Sequence, residues 1–110
     1  MRKEWNGGRM INITYQSREP PSLTVCGHSG YSTKGRDIVC AAVSALFMTL
    51  VNSLNEYTDD LITVRSEPGD GAITWSGMVS ERAQLLLFGT LLGLELLSKE
   101  YPDHIRYNIV

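Results

Sequence analysis

The chain has 110 residues, of which 43% are hydrophobic and 20% charged, and its formal net charge is −2. These values are typical of one globular domain with a hydrophobic core, and the length is too short for two such domains. We find no long uninterrupted apolar stretch that would require a bilayer, so we expect a soluble protein without a membrane partner. The negative charge removes the electrostatic argument for nucleic-acid binding, which normally needs a basic face.

The two cysteines, Cys26 and Cys40, are not preceded by a secretory signal. We therefore expect free thiols in a reducing cytoplasm rather than a disulfide. Ligand chemistry alone also allows a metal site built from Cys26, His28 and Cys40. A fourth ligand is not obvious, since His104 is far along the chain, and the Cys26–His28 spacing matches no recognised zinc pattern. We expect neither a metal nor another cofactor.

The first part of the chain predicts a leader followed by a hairpin. Residues 1–9 are polar and lack periodicity, as flexible leaders do, so the single domain is predicted over residues 10–110. Apolar and polar residues alternate over residues 10–16, which indicates a half-buried strand. The prolines at 20 and 21 interrupt this pattern, and a second strand is predicted over residues 22–28. We expect the two strands to pair.

A helix is predicted to begin directly after Asp37, which is a favoured N-cap residue, and to run over residues 38–55. Cys40 then lies in the first turn, where unpaired N–H groups and the positive helix end stabilise a thiolate. The glycines at 30 and 35 give the preceding loop backbone freedom. The residues at helical spacing that should face the sheet are Val39, Val43, Leu46, Phe47, Leu50 and Leu54.

His28 closes the second strand and Cys40 opens the helix, so the loop between them allows the two side chains to meet. Cysteine and histidine are the minimal pair for nucleophilic catalysis through a thioester. By residue type alone, a small buried cysteine and an ordinary histidine are the default interpretation. Ser44, one turn after Cys40, either bonds back to the Cys40 carbonyl, helps to order the site, or is a small residue needed for packing. We also expect the loop of residues 29–36 to be mobile until substrate binds.

The second half predicts another hairpin and another helix. Residues 61–67 and 72–77 alternate as strands on either side of a Pro-Gly-Asp-Gly turn at residues 68–71. Ser80 is the predicted N-cap of a helix that continues to about Lys99, before Pro102 prevents its continuation.

The second predicted helix is apolar around most of its circumference, leaving only a narrow strip with Glu81, Gln84, Phe88 and Glu95. Packing on one sheet cannot bury all of its side chains. We expect a symmetric homodimer to cover the remainder, with Leu91 or Leu94 at the subunit contact. The alternative is that the first helix alone buries it. Small residues that would allow another backbone to approach are Gly89, Thr90 and Gly93.

The elements together predict an α+β domain in the order β-β-α-β-β-α, with two helices on one face of a four-stranded antiparallel sheet. Residues 105–110 alternate like a strand and predict a short fifth strand at an edge.

Two segments of the chain, Gly27-His28-Ser29 and Asp37-Ile38-Val39-Cys40-Ala41-Ala42-Val43-Ser44-Ala45-Leu46, resemble the ribosomal-processing cysteine protease family, also called Prp. Its members carry Gly-His-Ala, a glycine-containing loop, and then Asp-Ile-Val-Cys-Ala-Ala-Val-Ser-Ala-Leu. Ser29 is the visible departure, and it affects neither the proposed base nor the nucleophile. The order of elements also matches from about Met10 to the end of the chain.

The resemblance implies a cysteine endopeptidase in which Cys40 attacks as a thiolate and His28 takes and returns the proton, with Gly27, Asp37 and Ser44 as supporting residues. Asp37 would orient His28 in such a site, although helix capping is sufficient to explain it. Backbone N–H groups at the helix start or in the glycine-containing loop are the expected oxyanion donors.

The substrate that the resemblance implies is the N-terminal extension of a bacterial large-subunit ribosomal protein, cut just after an apolar, aromatic-rich segment. A precursor protein of a phage or mobile element is an alternative substrate. The competing class is a non-catalytic protein that binds a peptide or a ribosomal partner in the same groove, and a metal-binding module is the third.

Overall fold

The computed structural model describes residues 10–28 and 37–110. In this part of the chain the elements are β1 (Ile11–Gln16), β2 (Ser22–Cys26), α1 (Ile38–Tyr57), β3 (Ile62–Glu67), β4 (Asp70–Trp75), α2 (Glu81–Glu100) and β5 (Ile105–Ile109). The α+β class and the order β-β-α-β-β-α are confirmed, with one more strand after them. The leader of residues 1–9 and the predicted mobile loop of residues 29–36 lie outside the described residues.

The five strands form one mixed sheet in the order β3-β4-β2-β1-β5. Both predicted hairpins are present, and β2 joins them by pairing antiparallel with β4. The last strand, β5, pairs with β1 in parallel, with Ile11 opposite Ile105. The expected edge strand is therefore confirmed, and the sheet is mostly antiparallel rather than entirely so.

Glycines with positive φ lie next to the observed strand ends. β2 ends at Cys26 because Gly27 has a φ of 103°, so His28 lies beyond the strand rather than closing it. β4 begins at Asp70, two residues earlier than predicted, which leaves Pro68 and Gly69 as the turn. Gly69 has a φ of 74°, a left-handed conformation that L side chains rarely adopt.

Helix α1 places one face on the sheet. Its buried side chains recur at helical spacing and are Val39, Val43, Phe47, Leu50, Val51 and Leu54. They belong to one core with inward-facing strand residues such as Ile13, Leu23, Ile73 and Trp75. The predicted stripe is thus confirmed, although Leu46 is only partly buried and Val51 joins it.

Helix α1 is an apolar stretch that the sequence analysis did not single out as a possible membrane span. The helix has 20 residues and no charged residue before Glu56, so it is long and apolar enough to cross a membrane. The core helix of a soluble protein has the same composition, and the stripe from Val39 to Leu54 packs into the core in that way.

The connection into α2 is fixed by two polar residues. The Ser80 hydroxyl accepts the N–H of Ala83 at 3.1 Å, which confirms its predicted role as N-cap. One carboxylate oxygen of Asp60 accepts both the Trp75 indole N–H at 3.1 Å and the Ser80 N–H at 3.0 Å. The indole is thereby satisfied although Trp75 is almost fully buried.

Helix α2 buries a different set of residues from the one expected at a subunit contact. Leu91 and Leu94 are 5% and 0% exposed within this single chain, so the prediction that they lie at a subunit contact is wrong. Gly93, one of the predicted small contact residues, faces Leu46 of α1, whereas Gly89 faces open space. The large apolar residues that α2 leaves exposed are Leu85, Phe88, Leu92 and Leu96. Phe88 therefore belongs to an apolar stripe rather than to the predicted polar strip.

Candidate active site

Three elements converge on one cleft of about 220 Å³: the end of β2, the first turns of α1, and the β3–β4 turn. Both His28 and Cys40 line this cleft. Its apolar wall includes Val25, Val43 and Phe47, all of which belong to or pack against the core. The structure therefore places the two residues that sequence analysis selected in the same concave space, where a peptide can reach both.

The start of α1 fixes the backbone of Cys40. The Asp37 carboxylate accepts the N–H of Val39 at 3.0 Å and that of Cys40 at 2.9 Å, which confirms Asp37 as the N-cap. The Asp37 carbonyl accepts the N–H of Ala41 at 3.1 Å. Cys40 is half-buried and packs against the core, so its thiol is both held and accessible. These three amides of the first turn already have acceptors.

Gly27 directs the chain into His28. Its φ of 103° is unfavourable for other residues, and a Cβ at this position would collide with the carbonyl oxygen of Met10. Its N–H donates to the carbonyl oxygen of Gly69 at 2.9 Å. Gly27 therefore joins the end of β2 to the β3–β4 turn, and His28 follows directly from this junction.

The β3–β4 turn contributes residues that the sequence analysis missed. The His28 imidazole lies over Gly69, because a Cβ built there would be 2.6 Å from its Nε2 atom and 2.9 Å from Cε1. At Gly71 a Cβ would be 2.9 Å from the Phe47 ring. The only sequence signal was the Pro-Gly-Asp-Gly string, which predicted a turn but not its proximity to His28.

Asp70, at the start of β4, lines the cleft. The Nε and Nη2 groups of Arg65 donate to its two oxygens, each at 3.0 Å. These hydrogen bonds hold the pKa of Asp70 below its ordinary value and raise the pKa of Arg65. The bidentate pair links β3 to β4 directly beside the turn on which His28 lies.

Ser44 lines the same cleft one turn after Cys40, and it is exposed. Its position on the cleft leaves the hydroxyl available to a bound peptide.

The alternative metal site is not formed in the described part of the chain, where no group of three or more His, Cys, Asp or Glu residues could hold a metal ion. Neither Cys26 nor Cys40 forms a disulfide within the described part of the chain. Cys26 is exposed and pairs across the sheet with Asn12 and Asp70.

Comparison with known proteins identifies a related family over most of the chain. The family model described as cysteine protease Prp matches residues 10–106. The ribosomal processing cysteine protease Prp of Bacillus subtilis is 26% identical over 91 residues, covering 77% of this chain and 81% of that protein. The protein of the same name from Staphylococcus aureus is 31% identical over 84 residues, covering 74% of this chain and 79% of its own length.

Solved structures of similar fold include that S. aureus protease with peptides bound. The complex with a covalently linked product peptide has a TM-score of 0.85 at 26% identity, and the match covers 92% of this chain and 100% of that one. The complex with a substrate peptide has a TM-score of 0.79 at 25% identity, with the same coverage. In both complexes the S. aureus protein is an essential ribosomal processing protease.

Proposed function

Because this chain belongs to the cysteine protease Prp family, we propose that it is a cysteine endopeptidase that removes the N-terminal extension of a bacterial large-subunit ribosomal protein. The observation that carries the proposal is the placement of His28 and Cys40 on one cleft. The similar S. aureus protease has been captured with a covalently linked product peptide, which fits a mechanism that uses a covalent intermediate.

In the proposed reaction, His28 accepts the thiol proton and the Cys40 thiolate forms a bond to the scissile carbonyl carbon. The carbon–nitrogen bond then breaks, and the leaving amine takes the proton from the imidazolium. Water, deprotonated by His28, attacks the carbonyl carbon of the resulting thioester, and the carbon–sulfur bond breaks. The imidazolium returns its proton to the departing thiolate, and the product acid releases its own proton to solvent as it ionises to the carboxylate.

The oxyanion donors are constrained by the helix cap. The amides of Val39, Cys40 and Ala41 already donate to Asp37, so they are poor candidates for the developing negative charge. We assign a supporting donor role to the Ser44 hydroxyl, which faces the cleft. Asp37 acts through the cap that orients the first turn, and Gly27 acts by directing the backbone into His28.

The test is incubation of the purified protein with a ribosomal precursor and with a phage structural precursor, followed by mass spectrometry of the fragments. We expect one cut in the ribosomal precursor, just after its apolar segment, and no cut by the Cys40→Ser variant. Cleavage of the phage precursor alone would reassign the substrate. Binding of both precursors without any cleavage would favour the non-catalytic class.

We also propose that the protein acts as a homodimer in the cytoplasm. A chain whose two cysteines form no disulfide in its described residues suits a reducing compartment. The support for a dimer is the α2 stripe, defined as Leu85, Phe88, Leu92 and Leu96, whose members are 53–76% exposed in the single chain. A second copy presenting the same stripe would cover it through a symmetric contact.

A further inference from the structure

The imidazole of His28 occupies the space that a side chain at position 69 would take. His28 is exposed to solvent, but its ring lies against Gly69, with Nε2 2.6 Å from the site of a Cβ on that residue. Real Cβ atoms essentially never come within 3.0 Å of another atom in this way. The ring position therefore depends on the absence of a side chain in the β3–β4 turn.

We propose that Gly69 is a positioning residue, and that the turn holds the His28 imidazole at the cleft by leaving it this space. The inference rests on the proposed role of His28 as the base. Gly69 supplies no reactive group, and it acts only through the orientation of the ring.

The turn is anchored well enough to serve as a fixed support. The Gly69 carbonyl accepts the N–H of Gly27 at 2.9 Å, which ties it to the residue that precedes His28. On its other side, the Arg65–Asp70 pair joins the two strands that flank the turn. The base and the surface beneath it are therefore held by the same junction.

Backbone strain alone would also require glycine at position 69. The effect of this strain must therefore be separated from the effect of displacing the His28 ring. Gly77 provides the matched control, because it also has a positive φ, 127°, but a Cβ there would meet nothing within 4 Å. A side chain at Gly77 adds strain only, whereas one at Gly69 adds strain and displaces the ring. Asn tolerates the left-handed region better than other residues, so Gly69→Asn reduces the strain and keeps the displacement.

The test compares Gly69→Ala, Gly69→Asn and Gly77→Ala by kinetics and by spectra of the histidine ring nitrogens. The chain has only two histidines, so His104 serves as an internal reference. We expect both Gly69 variants to shift the His28 ring signals and to lower kcat about 100-fold with KM little changed, since a misplacement of about 1 Å costs that much. Gly77→Ala should change neither the His28 ring signals nor kcat. The Cys40 alkylation rate should stay within about twofold of the wild-type rate in all three variants.

A folded Gly69→Asn protein with unshifted His28 signals and wild-type kcat would overturn the inference. If both Gly69 variants unfold, the wild-type protein provides the test. We then expect a nuclear Overhauser contact between the His28 Hε1 proton and the Gly69 α protons, and the absence of this contact would overturn the inference. Shifted ring signals in a protein that cleaves no precursor would support the positioning role while removing the proposed function. Failure of the positioning role and failure of the proposed function therefore give different results.

Discussion

At the residue scale, Asp37 fixes the start of α1 and with it the backbone of Cys40. Its carboxylate caps the helix by accepting the N–H groups of Val39 and Cys40, which stabilises the first turn. Cys40 lines the cleft from this turn. The cap therefore contributes both to the stability of the helix and to the position of the proposed nucleophile.

We predict that Asp37→Asn retains the cap and cleaves the precursor near the wild-type rate, because its amide oxygen still accepts the N–H groups of the first turn. Asp37→Ala should lose about 0.5–2 kcal/mol of the free energy of unfolding through loss of the cap. Ser80→Ala is the matched control, since it removes the cap of α2 without changing the surroundings of Cys40. A free energy of unfolding for Asp37→Asn as low as that of Asp37→Ala would contradict the capping role.

A second residue-scale prediction concerns the base. His28→Ala should lower the cleavage rate about 100-fold to 10,000-fold, the usual contribution of a general acid–base group, while Cys40 remains open to alkylation. His104→Gln serves as the control because His104 is not among the residues of the cleft. Precursor cleavage at the wild-type rate by His28→Ala would remove the base assignment.

At the element scale, the β3–β4 hairpin depends on an ion pair whose pH dependence follows from the lowered pKa of Asp70. The hydrogen bonds from Arg65 move that pKa below 3.8, so the folded state binds this proton more weakly than the unfolded state. The stabilisation is therefore present above about pH 4 and is lost as the pH falls through the folded-state pKa. It is small, because both side chains are exposed and screened by solvent.

We predict that the difference in Tm between the wild type and Asp70→Asn is present at pH 7 and shrinks as the pH is lowered below 4. Thermal unfolding followed by circular dichroism at several pH values measures it. Asp59→Asn, at an exposed position in the α1–β3 connection, is the control. Its difference in Tm from the wild type should not shrink as the pH is lowered. A difference that stays constant down to pH 2 would mean that the pair does not stabilise the hairpin.

The elements also show which features local sequence rules predict and which they do not. The caps Asp37 and Ser80 and the stripe of α1 were predictable, because hydrogen bonds within one turn and a 3.6-residue period are local. The parallel pairing of β5 with β1 and the contact of His28 with Gly69 join residues distant in sequence. No periodicity encodes such contacts. The sequence therefore indicated the β3–β4 turn but not that this turn contacts His28.

The faces of α2 illustrate the same limit. An almost wholly apolar helix does not reveal which side meets its own sheet, so Leu91 and Leu94 were assigned to the wrong surface. The structure places them in the core and leaves the α2 stripe exposed instead. That a second copy covers the exposed side stays a prediction, and the side in question can be assigned only from the packing of α1 and the sheet.

At the scale of the whole molecule, the α2 stripe is the surface through which we propose that two copies of the chain meet. Its members follow one another at intervals of three, four and four residues, which aligns them along one side of the helix. Gly89 lies between Phe88 and Leu92 in sequence, and the space above it is open, so a second helix has room to approach. Large contiguous apolar patches on protein surfaces are often interaction sites, which supports the proposed contact at this stripe.

We predict that the wild type is a dimer by size-exclusion chromatography with light scattering, and that Leu92→Glu is a folded monomer. Leu92 is 57% exposed in the single chain, so the charge disturbs the contact between copies and leaves the core intact. Met78→Glu is the control, because Met78 is 89% exposed outside the stripe and its replacement should leave the dimer unchanged. Leu94→Glu should instead unfold the protein, since it buries a charge in the core. A dimeric mass for Leu92→Glu, or a monomeric wild type, would show that copies of this chain do not meet through the α2 stripe.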